Sequence, residues 1–63
     1  MKVYIESTGK KISAKAPSVA ALLKKLKINP VTVLVVKNGM LVTEGEKLSA
    51  KDEVKILAVV SGG

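Results

Sequence analysis

The sequence predicts an α+β domain in which a sheet of four or five strands packs on one helix, and three observations predict it. Residues 2–6 and 11–15 alternate apolar with polar side chains, which is the period of a half-buried strand. Val19, Leu22, Leu23 and Leu26 fall at i, i+3, i+4 and i+7, the single stripe of an amphipathic helix. Asn38-Gly39 separates two further apolar runs and is the strongest short hairpin signal, because a type I′ turn needs positive φ at both central positions. One helix with one stripe can cover one face of such a sheet.

The elements follow in chain order. In residues 2–6, Val3 and Ile5 share one face while Lys2, Tyr4 and Glu6 share the other. Ser7-Thr8-Gly9-Lys10 supplies a turn, and residues 11–15 return with Ile12 and Ala14 inward, so the first fifteen residues read as a hairpin. Ala16-Pro17-Ser18 breaks the strand and opens the helix, since Ser18 can cap free amides and Pro17 cannot continue a ladder. The helix should run about eight or nine residues and be marginal alone, so its stripe must pack on the sheet. Lys24, Lys25 and Lys27 face water and suit the negative end of the helix dipole. Asn29-Pro30 ends it. Residues 31–37 are apolar on both faces and predict a covered strand; Met40-Leu41-Val42 returns antiparallel, Leu48 dips into the core, and residues 49–53 turn the chain into a final strand that pairs with the first.

Composition narrows the chemistry. At 63 residues this is one small domain, of a size that buries only about 60% of its unfolded surface. Cysteine and histidine are both absent, which removes disulfides, thiolate nucleophiles, zinc fingers, iron–sulfur clusters and histidine proton transfer together. Five serines without a histidine cannot form a Ser-His dyad. Glu44, Glu46, Asp52 and Glu53 sit in polar turns, where a solvated carboxylate is the ordinary state. No glycine-rich phosphate loop occurs. Eleven lysines face five acids for a net charge of +6, a balance that favours solubility and acidic partners. Tyr4 is the single aromatic residue, which argues against base stacking and against nucleic acid as a direct partner. No apolar run approaches the ~20 residues of a membrane span, and the first six residues lack a signal-peptide pattern. The expectation is a cytoplasmic protein, monomeric when free.

The last ten residues carry the strongest functional signal. The run from Val54 to Val60 drops without a turn into Ser61-Gly62-Gly63, so the expected organisation is a domain over residues 1–60 and a flexible tail over 61–63. Glycine packs nothing at a strand end, and average usage of about 7% places it at both final positions in roughly one chain in two hundred. On the final strand, Val54, Ile56 and Ala58 should face the helix, leaving Lys55, Leu57 and Val59 on the open face of the sheet. Leu34 and Val36 extend this face into an apolar patch beside the tail, and such patches usually meet partners.

Two hairpins around one helix, the helix start Ser18-Val19-Ala20-Ala21-Leu22-Leu23, the Asn38-Gly39 turn, Asp52-Glu53 before the last strand and the terminal Gly62-Gly63 together resemble the ThiS/MoaD sulfur-carrier family. The resemblance covers the whole chain; its length is closest to ThiS and to archaeal ubiquitin-like small modifiers. It implies the β-grasp, ubiquitin-like fold with a mixed sheet. It also implies a co-substrate rather than an enzyme: an E1-like partner of the ThiF/MoeB type uses ATP to adenylate the carboxyl of Gly63, and a sulfur donor converts it to a thiocarboxylate for a downstream synthase. Gly62 and Ser61 would thread a narrow channel, and Lys55, Leu57, Val59, Leu34 and Val36 would dock the partner, since family members present this sheet face to the adenylating enzyme. No cofactor would be bound. Ser61 stands where many relatives carry alanine or a bulkier residue. The sulfur could go to thiamine thiazole, molybdopterin or thiolated tRNA. Two alternatives stay open: a ubiquitin-like modifier joined to lysines through Gly63, and a basic β-grasp module that binds nucleic acid.

Overall fold

A computed structural model describes residues 1–59. Strands β1 (Lys2–Ile5) and β2 (Lys10–Ser13) form the first hairpin, followed by helix α1 (Val19–Lys25), a 3-10 turn at Pro30–Thr32, the hairpin of β3 (Val33–Lys37) and β4 (Met40–Val42), and β5 (Glu53–Ala58). The five strands form one sheet in the order β2-β1-β5-β3-β4. β5 lies parallel to β1 and antiparallel to β3, so the last strand is the middle of a mixed sheet. This is the β-grasp arrangement that the resemblance implies.

Burial follows the predicted stripe. Val19, Leu22 and Leu23 of α1 pack with Val3, Val35, Val54 and Ile56 in one core, and Leu26, Ile12, Ala14 and Leu48 close its margins. Each fully buried aliphatic side chain contributes about 1.5–3 kcal/mol relative to an exposed one, and that packing is what holds a seven-residue helix. Ser18 caps it from an extended backbone, its Oγ accepting the Ala21 N–H at 3.2 Å.

Several expectations needed correction. The second strand ends at Ser13 rather than residue 15, although the Ala14 N–H still donates to Met1 O at 3.2 Å. The helix is shorter than eight residues because Lys27 takes a left-handed φ of 59°. Its N–H donates to Lys24 O and that of Ile28 to Leu23 O, the paired bonds that close a helix in a Schellman motif. Residues 31 and 32 are not strand: Asn29 Oδ1 accepts the Val31 N–H at 3.0 Å and Thr32 Oγ1 donates to Asn29 O at 2.8 Å. This local network holds the 3-10 turn and leaves Val31 84% exposed. Ala58, expected to face the helix, is exposed at the end of β5. The boundary expected at residue 60, and the tail itself, lie outside the described residues.

Candidate functional site

The site is built on β5, because this strand carries the chain through the middle of the sheet to its C-terminal end. Alternation puts Val54 and Ile56 in the core, each 2% exposed, and turns Lys55 and Leu57 to the other face. The register then assembles neighbours. Leu57 lies opposite Leu34, and Lys55 opposite Val36 on β3 and Tyr4 on β1. The Val59 N–H donates to Thr32 O at 2.8 Å, so the path of β5 stays on the β3 side to the last described residue.

Of the expected docking residues, Lys55, Leu34 and Val59 are exposed while Leu57 and Val36 are half-buried. All five lie on or just beyond the adjacent strands β3 and β5. Sequence reasoning missed Leu41, which pairs with Val36 and is 65% exposed. The signal was present in the Asn38-Gly39 turn: a two-residue hairpin loop pairs Lys37 with Met40 and therefore Val36 with Leu41. Ser61, Gly62 and Gly63 lie outside the described residues.

Two of the acids, Asp52 and Glu46, serve the framework. Asn38 and Gly39 take φ of 51° and 83°, as the predicted turn requires. The Asn38 side chain then donates to Asp52 Oδ1 and accepts the Glu53 N–H, both at 2.9 Å, while Asp52 Oδ2 accepts the Ser49 N–H at 2.8 Å. The Asn38 bond, and after it the Ser49 amide, hold the Asp52 carboxyl below the usual carboxylate range. Asp52 thus fixes the entry to β5. Lys37 Nζ meets Glu46 Oε2 at 2.6 Å, and that hydrogen bond raises the Lys37 ammonium above its ordinary value.

The same loop satisfies the helix start, since Glu46 O and Glu44 O accept the Val19 and Ala20 N–H groups at 2.9 and 3.0 Å. Those amides are therefore not free to hold an anion. Among the described residues no cluster of acids could hold a metal ion, and no helix is long and apolar enough to cross a membrane. The arrangement offers a partly apolar sheet face and the strand leading to the C-terminus.

No curated protein matches the chain. The model described as the ThiS family matches residues 2–63, a span that takes in the grasp domain together with Ser61, Gly62 and Gly63. On that match the chain belongs to the ThiS family, a family of small sulfur carriers rather than enzymes.

Proposed function

We propose that the protein carries sulfur on the carboxyl group of Gly63. A carboxylate is a poor electrophile, so an E1-like enzyme of the ThiF/MoeB type first forms the acyl-adenylate with ATP, releasing pyrophosphate. Hydrosulfide delivered by a sulfur donor then displaces AMP, and the resulting thiocarboxylate passes its sulfur to a synthase that makes a cofactor (thiamine thiazole or molybdopterin) or a thiolated tRNA. ATP is the partner's substrate; the carrier binds no cofactor. A cytoplasmic location is consistent with the ATP requirement.

The observation that carries this reading is the family match through residue 63, supported by a fold that leads its central strand toward that end. Gly62 and Ser61 fit the role of a threading segment, because a larger side chain would obstruct a channel that must exclude water from a hydrolysable adenylate. Leu57, Leu34 and Val36 would supply the apolar contact with the enzyme, bordered by Lys55 and Val59.

ATP–pyrophosphate exchange with the cognate E1-like enzyme tests the proposal. The full chain should support exchange and a chain lacking Gly62 and Gly63 should not; equal exchange would overturn it. If activation proceeds but the terminus appears only in covalent conjugates with lysines of other proteins, the protein is a modifier instead.

A further inference from the structure

The lysines are segregated. Lys10, Lys11, Lys15, Lys24, Lys25 and Lys27 stand in a stretch, residues 7–36, that contains no acid, whereas the acids are Glu6, Glu44, Glu46, Asp52 and Glu53. All six of these lysines are exposed. The fold draws four of them together: Lys25 Nζ donates to Lys15 O at 3.2 Å, which ties the last turn of α1 to the segment leaving β2. The closing turn of the helix keeps Lys27 beside Lys24, its N–H on Lys24 O at 3.1 Å. Two of the five acids are occupied elsewhere, Glu46 by Lys37 and Asp52 by Asn38 and Ser49. Among the described residues, Lys37–Glu46 is the only ion pair.

The large exposed apolar side chains, Val31, Leu34, Met40, Leu41 and Val59, all lie outside residues 7–30. That separation decides what kind of partner the basic surface fits. Protein interfaces are built on apolar and aromatic anchors and are depleted in lysine. A phosphate backbone needs only cations, because binding is driven by release of condensed counterions.

We propose that Lys15, Lys24, Lys25 and Lys27 form a surface that binds the phosphate backbone of a nucleic-acid duplex without reading its sequence. Lysine acts on phosphate as a point charge on a flexible stem rather than as a fork that selects a base edge. The scarcity of aromatic residues weighs against single strands, which are held by stacking, and leaves duplexes unaffected. This surface is distinct from the β3–β5 face, so duplex contact does not depend on the chemistry at Gly63.

The test is fluorescence anisotropy of the full chain with a labelled RNA duplex across a salt series, with the DNA duplex of the same sequence and a labelled polyglutamate as parallel probes. The expected dissociation constant for the RNA is about 10⁻⁴–10⁻⁶ M. Lys24→Gln/Lys25→Gln/Lys27→Gln should flatten the plot of log affinity against log salt by about 2–3, near one per lysine. Lys2→Gln/Lys47→Gln/Lys51→Gln, of the same net charge, should leave the slope nearly unchanged, and Lys24→Arg/Lys25→Arg/Lys27→Arg should bind as the parent does. Equal losses in the two glutamine variants would overturn the proposal by showing that bulk charge alone is at work. So would equal or tighter binding of polyglutamate, and so would no measurable binding of either duplex at low salt by a chain whose circular dichroism shows it folded; the DNA arm shows which duplex the surface prefers.

Discussion

At the scale of the residue, several positions do work that only the folded chain reveals. Lys27 holds a left-handed φ of 59° at the position where a helix most often ends in glycine. A side chain there carries a steric cost that glycine avoids, partly offset by the greater freedom of glycine in the unfolded chain. Lys27→Gly should therefore stabilise the domain by about 0.5–1 kcal/mol, measured as a higher urea midpoint at an unchanged slope. Asp52, with its carboxyl held below the usual range by Asn38 and the Ser49 amide, stabilises the fold while ionised in both states. That contribution is present above the unfolded carboxylate pKa and is lost as pH falls through the lower folded value. Asp52→Asn should accordingly flatten the fall in melting temperature on acidification. Lys37, raised by Glu46, gives the opposite sign: its contribution is present below the ordinary lysine pKa and fades as pH rises through the folded value. The sequence marks Asn38 as a turn residue but does not show its bond to Asp52, because that partner lies fourteen residues away and only the pairing of β3 with β5 brings them together. Lys27 gave no sequence signal either, since glycine is the residue that marks such a closure, and here it is made by the backbone bonds of Lys27 to Lys24 O and of Ile28 to Leu23 O.

Among the elements, α1 and β5 depend on each other. The helix has seven residues, too few to persist alone, and its buried stripe meets Val54 and Ile56 across the core. Leu22→Ala should destabilise by about 2–5 kcal/mol through lost burial and a residual cavity. In a domain this small, where a core rarely supplies more than about 3–5 kcal/mol, the variant should be largely unfolded by circular dichroism at room temperature. The helix and the Asn38-Gly39 hairpin were legible because each rests on local rules, a 3.6-residue stripe and a turn needing two positive φ angles. The alternation of β5 was legible for the same reason at Val54 and Ile56. It fails at Ala58, where the strand runs out of core to cover it. Residues 31 and 32 misled because valine and threonine favour strands, while Asn29 and Pro30 impose a 3-10 turn that outweighs that preference locally. The exposed Leu41 could be found only by carrying the hairpin register across to β3.

For the whole molecule, charge and apolar surface are divided between different regions. Exposed aliphatic residues gather on and beside β3, β4 and β5, and the lysines of the acid-free stretch lie on β2, the segment after it and the end of α1. If the apolar face docks the activating enzyme, Leu57→Asp and Leu34→Asp should each weaken that association by about tenfold or more, since a buried unpaired charge costs more than the contact it replaces, while Lys24→Gln should leave it unchanged. Titration calorimetry with the E1-like enzyme would show the difference. The central claim concerns the end of the chain, and the intact mass of the protein isolated from its native cells tests it most directly. The account predicts a species heavier by the replacement of one oxygen with sulfur, assigned by fragmentation to Gly63. A terminus that stays an unmodified carboxylate under every sulfur supply would contradict it.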